Sequence, residues 1–305
     1  MKIVFMGTPN FAVSCLESIV NAGHNVLGVF TQSDKPKGRG YALTPPPVKV
    51  KAEQYDIPVY QPAKVKDGEA YETLKQLNPD CIVVVAYGKI LPEDILKLPP
   101  FGCINVHASL LPKYRGAAPI QWSVINGESE SGVTTMYMDA GLDTGDMIMK
   151  KSCPIDENMT AGQLHDKLAE MGAQLIVETL AAVENGTATR EKQDDSLSCY
   201  SPMLDKTLCK IDWTKSNCEI HNKVRGLNPW PVATASLNGK RVKIFSTRMC
   251  SDNGVPGEII SLSPLTVACG QGSIILLELQ LEGKKRMDAA AFLNGHSLNV
   301  TDKFE

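Results

Sequence analysis

The chain has 305 residues, of which 43% are hydrophobic and 21% are charged, and its formal net charge is −3. This length allows one large domain or two ordinary ones, and the composition is that of an ordinary globular protein. No apolar run approaches the roughly 20 residues that span a membrane, and the N-terminus has neither signal-peptide nor transit-peptide character, so we expect a cytoplasmic protein with no membrane partner.

The first elements alternate between strand-like and helix-like patterns. KIVFMG (2–7) is a continuous apolar strand, a helix is predicted over about 11–21, and NVLGVFT (25–31) is a second strand. Apolar strands that alternate with helices favour a mainly parallel sheet covered on both faces. We therefore predict an α/β, Rossmann-like, doubly wound domain. The turn GTPNFA has one glycine where the dinucleotide fingerprint requires three, so a nicotinamide or flavin cofactor is not expected.

A long segment, QSDKPKGRGYALTPPPVK (32–49), follows the second strand. Glycine, proline and basic residues dominate it, so we expect an exposed loop without regular structure. Long loops in compact domains are often functional, and Lys35, Lys37 and Arg39 are cations that could contact phosphate groups. A plain surface loop is an equally open interpretation.

Further strands are predicted at CIVVVA (81–86), INVHA (104–108), VTTMYMD (133–139) and MIMKKSCPI (147–155). Asn105 and His107 are two residues apart on one of them, so their side chains point to the same face. They lie at the carboxyl edge of the sheet, where doubly wound folds bind ligands. An amide donor and an imidazole suit acid–base chemistry, whereas a lone strand histidine is more often structural, and both interpretations stay open.

The loop DAGLDTGDM supplies three carboxylates, Asp139, Asp143 and Asp146. Gly141 and Gly145 would let this loop approach a substrate closely. An amide, an imidazole and a carboxylate together suit acyl transfer without a covalent intermediate. The chain has no G-x-S-x-G elbow and no cysteine in a nucleophile signature, which argues against covalent catalysis.

The C-terminal part has a different pattern. A helix is predicted over 160–184 and a second one over 216–226, followed by the strands ATASLNG, RVKIFSTRM, GEIISLS, LTVACGQG and SIILLELQLEG. Short strands with glycine-containing turns favour a small OB-like β-barrel. We predict domains over 1–184 and 205–305, with a polar linker over 185–204.

The charge distribution bears on the type of binding partner, and the cysteine spacing bears on disulfides and metal binding. Residues 1–205 hold 18 Lys/Arg against 25 Asp/Glu, a net of −7, whereas residues 206–305 hold 13 against 9, a net of +4. This asymmetry hints at a polyanionic partner for the C-terminal part, and a solvated charged surface explains it equally well. No two of the nine cysteines are separated by two residues, so we expect free thiols and no metal.

The segment NVHASLLPKYRGAAPIQW, with DAGLDTGDM downstream, resembles the folate-dependent formyltransferases. GTPNFAV, QPAKV, AYGKILP, RGLNPWPVA and FLNG extend the resemblance over both predicted domains. Within the family the chain is most similar to members that act on initiator tRNA. The resemblance implies that the formyl group of 10-formyltetrahydrofolate passes to the α-amino group of methionine on that tRNA.

The resemblance also implies roles for residues at matching motif positions. Asn105, His107 and Asp143 would form the catalytic trio. The folate-binding loop would be Ser109, Leu110, Leu111 and Pro112, and AYGKILP would help to enclose the pterin. Lys37 and Arg39 would contact the acceptor arm of the tRNA, and the OB-like domain would contact the tRNA as well. We expect a monomer that needs no protein partner.

Three alternatives remain open on the sequence. A formyltransferase that acts on glycinamide ribonucleotide or an amino sugar nucleotide would share the same trio. A hydrolase on this scaffold would release formate to water, and a non-catalytic protein would bind tRNA without turnover. RGLNPWP and the basic barrel favour the tRNA substrate, and the intact trio argues against a non-catalytic role.

Overall fold

The computed structural model describes residues 1–37, 42–66 and 68–305. These residues form two compact units. The first comprises 1–116, 132–153 and 165–200, and the second comprises 117–131, 154–164 and 201–305. The domain boundaries at 184 and 205 stay a prediction, because two segments that precede them group with the C-terminal residues.

The elements up to residue 184 are β1 (Lys2–Gly7), α1 (Asn10–Asn21), β2 (Asn25–Phe30), β3 (Lys35–Lys37), β4 (Ala42–Thr44), α2 (Pro47–Gln54), β5 (Val59–Tyr60), α3 (Glu69–Leu77), β6 (Cys81–Val85), α4 (Glu93–Leu96), β7 (Cys103–His107), β8 (Arg115–Gly116), α5 (Pro119–Ile125), β9 (Glu130–Tyr137), β10 (Met147–Pro154) and α6 (Ala161–Glu184). The later elements are β11 (Tyr200–Ser201), α7 (Asn217–Gly226), β12 (Ala233–Leu237), β13 (Lys240–Cys250), β14 (Ile259–Leu262), β15 (Leu265–Ala268), β16 (Ser273–Leu281), β17 (Met287–Asp288) and α8 (Ala289–Asn294). Short 3₁₀ helices cover Asp195–Leu197 and Lys206–Cys209.

The first unit is built on a seven-stranded sheet with the order β10-β9-β7-β6-β1-β2-β5. Strands β5, β2, β1, β6 and β7 run parallel, and β9 runs antiparallel to β7. Leu74 of α3 and Ile95 of α4 belong to the apolar cluster on one face, while Gly172 of α6 lies against Val106 on the other. Helices therefore cover both faces, and the predicted Rossmann-like class is confirmed.

The prediction that 32–49 lacks regular structure is wrong in part. Strands β3 and β4 pair as an antiparallel hairpin, and α2 begins at Pro47. Proline suits the first turn of a helix, because its fixed φ matches and its missing N–H has no helical acceptor there. The base of the hairpin is fixed by Lys49, whose Nζ lies 3.0 Å from both carboxylate oxygens of Asp34 and from Gln61 Oε1. A hydrogen bond of 2.8 Å from Gln61 Nε2 to Asp34 Oδ1, followed by those from Lys49, holds the pKa of Asp34 below its usual value.

The second unit contains an antiparallel sheet with the order β12-β13-β16-β15-β14, and β17 pairs with β16. The C-terminal residues join its two ends. Ser236 of β12 and Glu305 exchange backbone hydrogen bonds of 2.7 and 2.8 Å, and the N–H of Ile259 in β14 donates to Asp302 O at 2.8 Å. Phe304 is 2% exposed in the apolar core. The sheet is thus closed, and the predicted C-terminal β-barrel is confirmed.

Close packing explains why residues from before position 184 belong to the second unit. A Cβ atom at Gly226 of α7 would lie 2.5 Å from Ile125 Cγ1 of α5, so glycine lets these helices approach. Arg225 Nη1 also donates to the carbonyls of Asp156 and Met159, at 3.2 and 3.1 Å. Both preceding segments are therefore anchored on α7.

Three properties of the described residues bear on the type of site. None of their helices combines the length and the apolar character that a membrane span requires. All nine cysteines are free thiols. Within 1–37, 42–66 and 68–305, no three His, Cys, Asp or Glu side chains converge as a metal-binding group.

Candidate active site

Asn105 and His107 lie at the carboxyl end of β7, with 9% and 6% of their surface exposed. Cys103, the first residue of β7, lies on the same face of the strand and packs in the apolar cluster next to α4. The amide of Asn105 has no hydrogen-bond partner in the part of the chain that the structure describes. The Asn105 amide is not among the buried polar atoms that lack a partner, so it keeps accessible surface and is free to donate to a ligand at this edge of the sheet.

His107 is oriented by hydrogen bonding at one ring nitrogen. Its Nε2 lies 2.9 Å from Tyr114 O, and since a carbonyl oxygen only accepts, Nε2 carries the proton. Nδ1 faces Asp143 Oδ2 at 3.7 Å. The tautomer with its proton on Nε2 therefore turns the lone pair of Nδ1 toward Asp143.

Asp143 is held by its own backbone and by a neighbouring loop. Its φ of 53° lies in the left-handed region, which aspartate tolerates better than most residues. Its Oδ2 accepts a hydrogen bond of 2.9 Å from the N–H of Gly116, and its side chain is 14% exposed. The carboxylate is thus aimed at His107 and remains partly accessible.

The other two aspartates of this loop have different contacts. Asp139 Oδ1 accepts from the N–H of Gly141 at 3.0 Å and from Thr144 Oγ1 at 2.7 Å, so it organises the loop. Asp146 Oδ2 lies 3.7 Å from Arg190 Nη1 in an exposed pair. Of the three candidate carboxylates, the structure therefore brings Asp143 to His107.

The loop glycines serve packing within the protein. A Cβ atom at Gly145 would lie 1.8 Å from Tyr137 O, and one at Gly141 would lie 2.0 Å from Thr144 Oγ1. Neither site has room for a side chain. The expected role of these glycines in close approach to a substrate stays a prediction.

The Ser109–Pro112 loop follows β7 directly. Ser109 is fully buried, its hydroxyl donates within the loop, and its carbonyl accepts from Thr134 Oγ1 at 2.7 Å. Leu111 belongs to a small apolar cluster, whereas Leu110 and Pro112 are half-buried. Ser109 and Leu111 therefore shape the loop, and Leu110 and Pro112 keep surface that a ligand could contact.

The turn after β6 ties the neighbouring strand ends together. Tyr87 O accepts from Thr8 Oγ1 at 3.2 Å and from Gln32 Nε2 at 3.0 Å. The Tyr87 hydroxyl is buried without a partner among the described residues, and burial raises the pKa of Tyr87 to about 12, so it stays protonated. Ile90 in the same turn is 72% exposed. The turn thus presents apolar surface near the carboxyl edge.

The two predicted tRNA contacts are not tested by the geometry. Arg39 lies outside the described residues, and of Lys37 only the backbone, in β3, is described. Lys35, in the same strand, donates to Gln32 Oε1 at 2.8 Å. The roles of Lys37 and Arg39 stay predictions.

Gln193 contacts the loop that carries Asp143, and the sequence does not predict it as a site residue. Its Nε2 donates to Asp143 O at 2.9 Å and to Gly145 O at 2.8 Å, and the residue is 7% exposed. It lies in KQDD, a polar stretch with the composition of a linker. Neither periodicity nor a motif marks it, so only its partners in the fold show that it is buried.

The arrangement suits transfer of an acyl group to an external nucleophile. The amide of Asn105 can donate to an oxygen that gains negative charge, and Asp143 can accept a proton. The hydroxyl of Ser109, which would otherwise be a candidate nucleophile, already donates to Lys113 O at 2.6 Å. The site therefore favours direct transfer.

Known proteins resemble this chain over nearly all of its length. Family models match as formyl transferase over residues 1–180 and as formyl transferase, C-terminal domain, over residues 203–297. Methionyl-tRNA formyltransferases of Citrifermentans bemidjiense and Geobacter sulfurreducens are 53% and 51% identical over 300 residues, which is 98% of this chain and 94% and 95% of theirs. An N-formyltransferase structure from Helicobacter canadensis, in complex with folinic acid and dTDP-3-aminofucose, is 25% identical with a TM-score of 0.68, over 90% of this chain and 98% of that one.

Proposed function

Because the chain belongs to the formyl transferase family, we propose that it transfers the formyl group of 10-formyltetrahydrofolate to the α-amino group of methionine on initiator tRNA. Relatives about half identical over nearly full length bear the name methionyl-tRNA formyltransferase. The structural observation that carries the proposal is the amide of Asn105, which lies two residues before His107, has no hydrogen-bond partner among the described residues and keeps accessible surface. Such a donor is placed for the oxygen of a formyl group under attack.

The first part of the reaction concerns charge on the formyl oxygen. The free amine has a pKa of about 8, so a useful fraction is deprotonated near neutral pH. As the amine bonds to the formyl carbon, negative charge moves to the formyl oxygen, and Asn105 Nδ2–H donates to it. The folate donor supplies a formyl group whose carbon–nitrogen bond then breaks. The hydrogen bond from Asn105 to the formyl oxygen thus becomes stronger as the reaction proceeds.

The second part concerns the proton. The attacking amine loses one proton and the departing folate nitrogen gains one, so the balance needs a single carrier. Asp143 is the carboxylate placed for this transfer, and its Oδ2 is kept in position by the N–H of Gly116. His107, held through Nε2 on Tyr114 O, presents Nδ1 at 3.7 Å from Asp143 Oδ2, where its lone pair can accept the proton that Asp143 takes up.

We assign the remaining roles as part of this proposal. Residues 1–184 carry catalysis, residues 205–305 bind tRNA, and residues 185–204 connect them. The Ser109–Pro112 loop borders the folate, and Lys37 with Arg39 contacts the acceptor arm. The net charge of +4 over residues 206–305 supports the tRNA contact. We further propose a monomer that acts in the cytoplasm.

The barrel offers a specific basic surface for the tRNA backbone. A cleft of about 270 Å³ is lined by Arg241, Lys243, Gln280 and neighbouring residues. The double variant Arg241→Gln/Lys243→Gln should raise KM for charged tRNA, leave kcat unchanged, and reduce the slope of log affinity against log salt by about 2, since each phosphate contact accounts for about 1. Filter binding and kinetics across a salt series measure both effects.

The matched control for this pair is Lys75→Gln/Lys97→Gln, which removes two exposed charges from the first unit. Its salt slope should stay near that of the parent protein. An equal decrease in both double variants would assign the effect to overall charge and remove the barrel cleft from the proposed tRNA surface.

The proposed function is tested by a formyl-transfer assay with 10-formyltetrahydrofolate and methionine-charged initiator tRNA. Formylmethionyl-tRNA should form, with none from uncharged tRNA. Product on glycinamide ribonucleotide or on an amino sugar nucleotide, but not on charged tRNA, would show that this small amine is the substrate and that initiator tRNA is not. Release of formate without an acceptor would indicate a hydrolase. Tight tRNA binding without turnover on any amine would indicate a non-catalytic protein.

A further inference from the structure

Residues 189–200, which we call the strap, lie within the predicted linker and group with the first unit. The strap runs along the start of β10 and the loop that carries Asp143. The backbones of Glu191 and Met147 exchange hydrogen bonds of 2.9 and 2.8 Å, and Arg190 stacks over the Tyr137 ring at 3.7 Å. At its far end, Cys199 O accepts from the N–H of Arg115 at 2.9 Å. The strap therefore contacts both segments that border the catalytic trio.

Gln193, at the centre of the strap, uses both ends of its side-chain amide. Its Nε2 donates to Asp143 O and Gly145 O, at 2.9 and 2.8 Å. Its Oε1 accepts from Arg115 Nε and Nη2, at 3.0 and 2.8 Å. An amide has two N–H donors and two lone pairs, so its hydrogen-bonding capacity is fully used. Glutamate has the same shape but lacks the two donors.

The partners of Gln193 are the segments that hold His107 and Asp143. On one side is the backbone of Asp143 itself, in its left-handed conformation. On the other side is Arg115, which stands between the carbonyl that binds His107 Nε2 and the Gly116 N–H that binds Asp143 Oδ2. Loss of the amide would leave the buried carbonyl of Gly145 and the partly buried carbonyl of Asp143 without this donor and release the loop.

We propose that Gln193 is a positioning residue that sets the placement of Asp143 against His107 by clamping the 139–146 loop to Arg115. This inference rests on the proposed function, since it assigns a part in the same reaction. A displacement of about 1 Å at reacting groups lowers rates by up to about a hundredfold. The role of Gln193 therefore concerns the rate of transfer and not the binding of tRNA.

The test is the variant Gln193→Glu in single-turnover formylation, with enzyme saturating over charged initiator tRNA and 10-formyltetrahydrofolate in excess. The new carboxylate still accepts from Arg115, but it faces two carbonyl oxygens where the amide donated. The rate constant should fall about tenfold to a hundredfold, while the end point and the affinity for charged tRNA stay unchanged. With enzyme in saturating excess, the single-turnover rate constant does not depend on the fraction of the enzyme that is folded. A variant that only lost stability would therefore keep the parent rate constant.

Two control variants separate the effect of the added negative charge from the effect of losing the hydrogen bonds of Gln193. Gln174→Glu makes the same substitution at an exposed position where Lys151 donates to the side chain at 3.0 Å. Asp195→Asn removes the ion pair of 2.7 Å between Arg115 and an aspartate that is 81% exposed. Both should keep the parent rate constant. If Gln193→Glu does not fold, as judged by circular dichroism, Gln193→Met replaces it with the same expected loss.

The outcomes distinguish this inference from the proposed function. No product from the parent protein would overturn the proposed function. Product from the parent with an unchanged rate constant in Gln193→Glu, or in the folded Gln193→Met, would overturn the clamp alone. A loss in Asp195→Asn as large as that in Gln193→Glu would also overturn it, because the effect would then arise from the ion pair of Arg115.

Discussion

Replacing Asn105 with alanine is expected to lower kcat for formyl transfer by about a hundredfold to a thousandfold, the usual loss when one oxyanion donor is removed. KM for charged tRNA should change little, because the amide strengthens its hydrogen bond only as charge develops on the formyl oxygen. Steady-state kinetics with each substrate varied in turn separates the two constants. A rise in KM at constant kcat would make Asn105 a ground-state binding residue.

The same variant should keep its stability. Asn105 has no hydrogen-bond partner among the described residues, so alanine loses none in the unliganded protein. We expect the free energy of unfolding, from urea titration, to change by less than about 1 kcal/mol. Asn185→Ala, at an exposed position just after α6, is the control for both measurements. Joint loss of stability and activity in Asn105→Ala would indicate that the amide closes the core and performs no chemistry.

The strands could be predicted because the apolar pattern of the chain determines them. β1 and β7 are buried throughout apart from Lys2; β1 is a continuous apolar run after that lysine, and β7 alternates apolar residues with Asn105 and His107. The hairpin β3-β4 could not be predicted from composition, since it is anchored by Lys49, Asp34 and Gln61, which are distant from one another in sequence. Local composition predicts whether a segment is polar, and long-range side-chain contacts decide whether it is ordered.

In the site, too, some features follow from the local sequence and others depend on long-range contacts. Asn105 and His107 could be placed on one strand face from their spacing alone, because strand periodicity is fixed. The aspartate could be named only through the family resemblance, since three identical side chains share one loop. Their difference arises from the left-handed φ at Asp143 and from the hydrogen bonds that engage Asp139. Gln193 had no signal at all, because a buried amide in a polar stretch looks like solvent-exposed sequence.

Replacing Asp143 with asparagine is expected to reduce kcat by about a hundredfold to ten-thousandfold, the range associated with loss of general acid–base catalysis. The change keeps the shape of the side chain. Asparagine tolerates the left-handed φ of 53°, and its Oδ1 still accepts from the N–H of Gly116. What disappears is the carboxylate that faces His107 Nδ1 and that we propose takes the proton of the attacking amine. The loss should therefore appear in kcat, with the affinity for folate and for charged tRNA retained.

The matched control is Asp146→Asn, the same substitution three residues later in the loop. Its carboxylate is 38% exposed beside Arg190 and contacts no member of the trio, so the variant should keep the parent kcat. Because both variants remove one negative charge from the same loop, a general change in attraction for polyanionic tRNA would affect them equally. A large loss confined to Asp143→Asn assigns the proton transfer to that carboxylate. An Asp143→Asn enzyme with the parent kcat would place the proton acceptor elsewhere and leave Asp143 with the orientation of His107 alone.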